Sequence, residues 1–117
     1  MKRGDVYLTR IDPCEGSEQA GTRPAVIVSR DAINRSSPVV IVVPCTTWRA
    51  GRKVYPSQIL LRPPDGGLST DTLALGEQIR AIACDRLITR WGVLAPQTMA
   101  QLDRALSIAL DLPGQFE

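Results

Sequence analysis

Three short clusters hold the side chains able to do chemistry in this chain: Gly16-Ser17-Glu18-Gln19, Thr22-Arg23-Pro24 and Thr46-Thr47. An arginine beside a hydroxyl can hold a phosphate, because the guanidinium fork grips two oxygens while the hydroxyl adds one oriented donor. Taken singly, an Arg before Pro at a strand entry is more often a solvated end or an ion-pair partner, and Thr at a strand end is ordinary β-forming chemistry. The question is whether the clusters converge. Other chemistries are excluded by composition. The 117 residues include no histidine, so no Ser-His-Asp triad, no Cys-His pair and no ordinary His-containing zinc or iron site can be built. Cys14, Cys45 and Cys84 lie far apart with no Cys-x-x-Cys pattern, which gives neither a disulfide framework nor an all-cysteine metal site within one chain. They read as reduced thiols of a cytosolic protein.

The elements that must position these clusters are short. Residues 4–10 alternate Val6 and Leu8 with Asp5, Tyr7 and Thr9 and read as a strand that runs into a turn at Ile11-Asp12-Pro13. Residues 14–22 are a loop. Residues 24–29 and 39–43 are β-branched runs too short for helices, and their unbroken apolarity suggests strands covered on both faces. Residues 30–38 between them have room for one helical turn. If these two strands pair antiparallel, the start of one lies beside the end of the other, which puts Arg23 and Thr46 on one rim with the first loop above them. Residues 48–57 contain Arg49, Arg52 and Lys53 around Gly51, with almost nothing fit for a core, and read as an exposed basic loop. Short strands are expected at 58–61, 72–75 and 78–83, with a bulge at Gly76-Glu77. Residues 85–93 fit either period, since Leu87, Ile88 and Trp91 suit a helix or a strand. From Pro96 onward the spacing of Met99, Leu102 and Leu106 predicts an amphipathic helix stopped by Pro113-Gly114.

The sum is a mainly β domain with α: a single unit over 1–117, a small bent or partly open barrel of five to seven strands with a C-terminal helix. The longest apolar stretch, 39–43, is far short of the roughly 18 residues that span a bilayer, and the Met-Lys-Arg-Gly-Asp start is no secretory signal. Net charge is only +2, but it is unevenly placed. Residues 1–62 carry ten Lys/Arg and five Asp/Glu, whereas residues 63–117 carry four and seven. Twelve of the fourteen cationic residues are Arg, the side chain whose planar fork suits phosphate and base edges.

The order Arg3-Gly4-Asp5-Val6, then the run from Gly16-Ser17-Glu18-Gln19 through Thr22-Arg23-Pro24 to Ser29, then Asn34, then Val43-Pro44-Cys45-Thr46-Thr47, then Glu77-Gln78-Ile79-Arg80 resembles the MazF/PemK family of toxin endoribonucleases. Each piece is weak alone, but together they cover nearly the whole chain. The resemblance implies an SH3-like or CcdB-like barrel, a cytoplasmic homodimer, cofactor-free and metal-independent cleavage of single-stranded RNA, and a cognate antitoxin whose acidic C-terminal segment blocks the RNA groove. It places the catalytic arginine on Arg23, the catalytic threonine on Thr46 and a supporting glutamate on Glu18. Substrate contacts are expected from Ser17, Gln19, Thr47, Arg49, Arg52, Lys53 and Glu77. One departure stands out. Plasmid-type relatives carry an Arg two residues before the acid that precedes the Gln-x-Arg stretch, and here Leu75 occupies that Arg position before Glu77.

The missing histidine agrees with this resemblance. RNA brings its own nucleophile, the 2′-hydroxyl, so a protein need only hold the phosphate in line, stabilise its added charge and help move protons. Arginine is a poor base at neutral pH because its pKa lies above about 12. The proton acceptor therefore stays open between Glu18, a perturbed Arg23 and water. Two alternatives share the expected fold. A CcdB-like gyrase poison would need a Trp-Gly-Ile terminus, whereas this chain ends Pro-Gly-Gln-Phe-Glu. A non-catalytic RNA-binding module separates from a nuclease only by assay. An SH3-like peptide binder would need an aromatic-lined groove, which five scattered aromatics do not provide.

Overall fold

The computed structural model describes residues 1–11 and 21–113. Among these, seven strands and two α-helices follow in the order β1 (Asp5–Ile11), β2 (Gly21–Ile27), α1 (Asp31–Ser36), β3 (Val39–Thr47), β4 (Gln58–Leu61), β5 (Thr72–Leu75), β6 (Arg80–Ala83), β7 (Leu87–Val93) and α2 (Pro96–Ala109). Single 3-10 turns lie at Asp65–Gly67, Gly76–Gln78 and Cys84–Arg86. All pairings are antiparallel, in the order β4-β5-β3-β2-β1-β7, with β6 added to β3 outside that path. The result is a bent, open sheet with a C-terminal helix.

β3 is the longest strand and ties the sheet together. Along one edge it pairs first with β6, from Val39 to Val42, and then with β5, from Cys45 to Thr47. Val43 and Pro44 lie in the gap between those partners while facing β2 on the other edge. Pro44 has no N–H to give to a ladder, so the hand-over point is where it disturbs pairing least.

The apolar runs do bury both faces. Alternation sends Val26, Val28, Val43 and Cys45 into one core, closed by Leu102 and Leu106 of α2, and sends Ala25, Ile27, Val40 and Val42 into a second core with Ile11 and Ile82. Leu102 is fully buried, and truncating such a residue to Ala costs about 2–5 kcal/mol. In β1 the side of the alternation expected to be polar is buried as well. Thr9 is buried and Leu8 only half-buried, because Thr9 shares its face of the strand with Tyr7 and Ile11, which pack in the second core. The buried Thr9 hydroxyl is satisfied by donating to the Tyr7 carbonyl at 3.0 Å.

Residues 85–93 resolve into a 3-10 turn and β7, and the expected bulge at Gly76-Glu77 is a 3-10 turn, so the strand after it starts only at Arg80. α2 begins at Pro96, as its fixed φ favours. Its cap comes from a distance. Asp65 Oδ1 accepts the Ala95 N–H at 2.8 Å and Oδ2 accepts the Thr98 hydroxyl at 2.5 Å, putting a carboxylate where the helix leaves N–H groups unpaired. Gly67 lets the Asp65 turn press onto β7, for its φ is +74° and a Cβ there would lie 2.1 Å from the Trp91 carbonyl oxygen.

Candidate active site

The convergence expected of β2 and β3 is present. Their register pairs Ala25 with Pro44, Val26 with Val43 and Ile27 with Val42; continued two residues outward, it sets Arg23 opposite Thr46. A guanidinium nitrogen of Arg23 donates to Thr46 Oγ1 at 3.4 Å, at the long end of hydrogen bonding. Both residues are half-buried. On its other side Arg23 faces Thr9 of β1, and Thr46 faces Leu73 of β5, so four strands fix the two backbones. A phosphate oxygen that entered here would meet a planar cation and a hydroxyl together.

Residues 12–20, which include Ser17, Glu18 and Gln19, lie outside the described residues. Their anchors are described. Ile11 pairs with Gly21, and that pair sits two positions beyond the pair Thr9 and Arg23, at the same rim.

Thr47 follows Thr46 but, by strand alternation, presents its side chain to the opposite face, where it is exposed and paired with Thr72. β3 then leads into the basic loop. Arg49, Arg52 and Lys53 are all exposed. The loop is held by Trp48, whose N–H donates to the Asp71 carbonyl and whose indole N–H donates to the Arg52 carbonyl, both at 3.0 Å, and by the Arg52 N–H on the Arg49 carbonyl at 3.0 Å. The Lys53 ammonium sits 5.0 Å from the Tyr55 ring centroid, within cation–π range.

Glu77 is exposed and accepts hydrogen bonds from Ser57 Oγ at 3.1 Å and Gln58 Nε2 at 2.8 Å. One residue missing from the expected contacts is Arg80. It pairs with Val42 while Ile82 pairs with Val40, which places Arg80 on the same face of β3 as Thr46, and it lines a recess with Glu77, Gln78 and Ile79. Its signal in the sequence was the alternation of Arg80 and Ile82 on one face of a short strand. The thiols take no part. Burial pushes the Cys45 thiol up to about 12, which keeps it protonated and unreactive at neutral pH, and the Cys84 thiol donates to the Ser37 carbonyl. Among the described residues no group of three His, Cys, Asp or Glu side chains could hold a metal ion.

Comparison with known proteins places this geometry in context. A family model described as PemK-like, MazF-like toxin of type II toxin-antitoxin system matches residues 2–110. The chain is 44% identical to Endoribonuclease MazF9 of Mycobacterium tuberculosis, covering 96% of this chain and 98% of that protein. It is 38% identical to Endoribonuclease MazF of Staphylococcus saprophyticus, covering 96% and 92%. Among solved structures, an endoribonuclease in complex with its cognate antitoxin, from a mycobacterial species, superposes with a TM-score of 0.78 at 32% identity, covering 98% of this chain and 99% of that one.

Proposed function

The chain belongs to the PemK-like, MazF-like toxin family of type II toxin-antitoxin systems, and from that premise we infer that it is an endoribonuclease that cuts single-stranded RNA. The observation that carries the reading is the contact between Arg23 and Thr46 across β2 and β3, a cation and a hydroxyl held at one rim by four strands. The 2′-hydroxyl of the nucleotide before the cut attacks the adjacent phosphorus, and the bond to the 5′-oxygen of the next nucleotide breaks. The Arg23 guanidinium grips the non-bridging oxygens, whose charge grows as the fifth bond forms, and the Thr46 hydroxyl adds one donor to the same oxygens. The 2′-hydroxyl proton has three candidate acceptors, Glu18 on the segment that joins Ile11 to Gly21, Arg23 and water. The proton taken from the 2′-hydroxyl is made good at the departing 5′-oxygen by one given from Arg23 or water, leaving a 2′,3′-cyclic phosphate and a 5′-hydroxyl.

Because the nucleophile belongs to the substrate, no metal-bound hydroxide is needed to create one. Arg49, Arg52 and Lys53 hold the strand through its phosphates beside the reacting pair, with Ser17, Gln19 and Thr47 as further contacts. The whole chain acts as one unit. It works in the cytoplasm as a homodimer, and a cognate antitoxin with an acidic C-terminal segment covers the same cations; the mycobacterial relative in complex with its antitoxin supports that partner. No helix among the described residues is long and apolar enough to cross a membrane.

The decisive experiment gives purified protein an RNA with a single 2′-deoxyribose before the cut site, with and without EDTA. The all-ribose strand is expected to be cut in EDTA, and the substituted strand to bind and stay intact. Cleavage of the substituted strand, or loss of all cleavage in EDTA, would overturn the mechanism.

A further inference from the structure

Glu77 lies on the 3-10 turn between β5 and β6, yet its bonds all run to the base of the basic loop. With the Gln58 amide nitrogen donating to Glu77 at 2.8 Å, the amide oxygen is turned the other way, where it accepts the Tyr55 N–H at 3.2 Å. The Gln58 N–H in turn donates to the Tyr55 carbonyl at 2.9 Å, and the Tyr55 ring stands beside the Lys53 ammonium. A continuous set of contacts thus joins the turn to one cation of the loop. A glutamine amide presents a donor and an acceptor of nearly equal size, so alone it could meet the Tyr55 N–H with the wrong end. A carboxylate only accepts, and it removes that ambiguity. Residues 53–56 are exposed and bury little that would offset the entropy lost on ordering.

We propose that Glu77 is a positioning residue for RNA binding: its carboxylate orients the Gln58 amide, orders residues 53–58 and so fixes Lys53, and it does not itself touch a base. This rests on the reading that the basic loop holds RNA.

An exchange of partners tests it. Gln58→Glu sets two carboxylates face to face and unpins the loop. Amide hydrogen exchange at residues 53–58 should accelerate and KM should rise roughly five- to tenfold, the scale of one net hydrogen bond, while kcat holds within about twofold. Adding Glu77→Gln restores every bond. The amide introduced at 77 donates to the carboxylate at 58, its carbonyl accepts the Ser57 hydroxyl, and the second carboxylate oxygen at 58 still accepts the Tyr55 N–H. Slow exchange and the parent KM are both expected to return. Restored exchange with an unrestored KM would mean that the Glu77 carboxylate contacts RNA directly and would overturn the proposal. Unchanged exchange in Gln58→Glu would overturn it from the other side. Exchange is measured without RNA, so failure of the RNA-binding reading shows separately, as equal RNA affinity of the parent and a variant neutralised at Arg49, Arg52 and Lys53; with nothing to position, the proposal would fall with it.

Discussion

Two arginines near strand starts, Arg3 and Arg23, meet different surroundings, and the difference shows how partners assign a role. Arg3 is bonded on every side: its N–H donates to Asp31 Oδ1 at 2.7 Å, Nε donates to the Val28 carbonyl at 3.0 Å, and its guanidinium pairs with Asp103 of α2. Gly4 follows at φ +95°. Then comes Asp5, a buried carboxylate that accepts the Lys2 N–H at 2.8 Å and meets Arg90 of β7 at 3.2 Å. This corner joins the N-terminus, α1, the end of β2, β7 and α2. Arg23 lies instead across β2 and β3 from Thr46, with its guanidinium 3.4 Å from the threonine hydroxyl at the strand ends. Bonds to elements distant in sequence make an arginine part of the scaffold; a guanidinium set beside a hydroxyl on neighbouring strands makes a pair whose donors suit the oxygens of one phosphate.

Paired substitutions can break that contrast. Arg23→Ala should lower the cleavage rate by about 10³-fold or more while leaving the melting temperature near the parent's. Arg3→Ala should do the reverse, losing about 1–2 kcal/mol with its half-exposed Asp103 pair discounted, while activity per folded molecule persists. Thermal unfolding and single-turnover cleavage, run on both proteins, read the two axes. If both variants lose stability and activity together, the division of roles is wrong.

Thr46→Val tests whether the hydroxyl acts or merely fills the rim. The shape is kept and one donor is removed, so the rate should fall by about 10²-fold with RNA affinity little changed; an unchanged rate would remove Thr46 from the chemistry. Neutralising Arg49, Arg52 and Lys53 together should have the opposite profile. The slope of log affinity against log salt should shrink by roughly 0.7 for each RNA phosphate that the variant no longer neutralises, while the rate at saturating RNA changes far less. Parallel salt titrations of parent and variant decide it.

The smallest effects belong to the scaffold. Asp65→Ala removes the remote cap of α2 and should cost about 1 kcal/mol, seen as a lower denaturation midpoint without loss of cleavage. Asp31 is held below its ordinary value of 3.8, chiefly by the Arg3 N–H. A carboxyl lowered by folding contributes stability above its unfolded value and loses it as the pH falls through the folded one. Acid unfolding of Asp31→Asn should therefore depend less steeply on pH below about 4 than that of the parent.

The rim itself could be read from the sequence, because two uninterrupted β-branched runs leave few ways to pair and antiparallel pairing sets Arg23 beside Thr46. Elsewhere local pattern was not enough. The apolar run that marked β3 stops at Val43, yet the strand continues through Pro44 to Thr47 because it exchanges β6 for β5 there. Leu87, Ile88 and Trp91 suited either period, and pairing with β1 settled β7 as a strand. Arg3 and Asn34 belonged to the family resemblance, but their structural roles depend on residues distant in sequence or on side-chain direction. Asn34 is buried and locks α1 to the end of β2 through Ser29, with the Ser29 hydroxyl donating to Asn34 Oδ1 and the Asn34 amide donating to the Ser29 carbonyl at 3.0 Å. Such closures over space leave no periodic trace.

The course of β3 has a bearing on how such a molecule can diverge. Thr46 is the next-to-last residue of a strand anchored in both cores, and the loop that begins at Trp48 inserts almost nothing into either. A lineage can therefore lengthen, shorten or recharge residues 49–56 with Arg23 and Thr46 left where they were. On the proposed reading, taste in substrate and ability to cut are written on adjoining stretches of one chain, and only the second is under the constraint of packing.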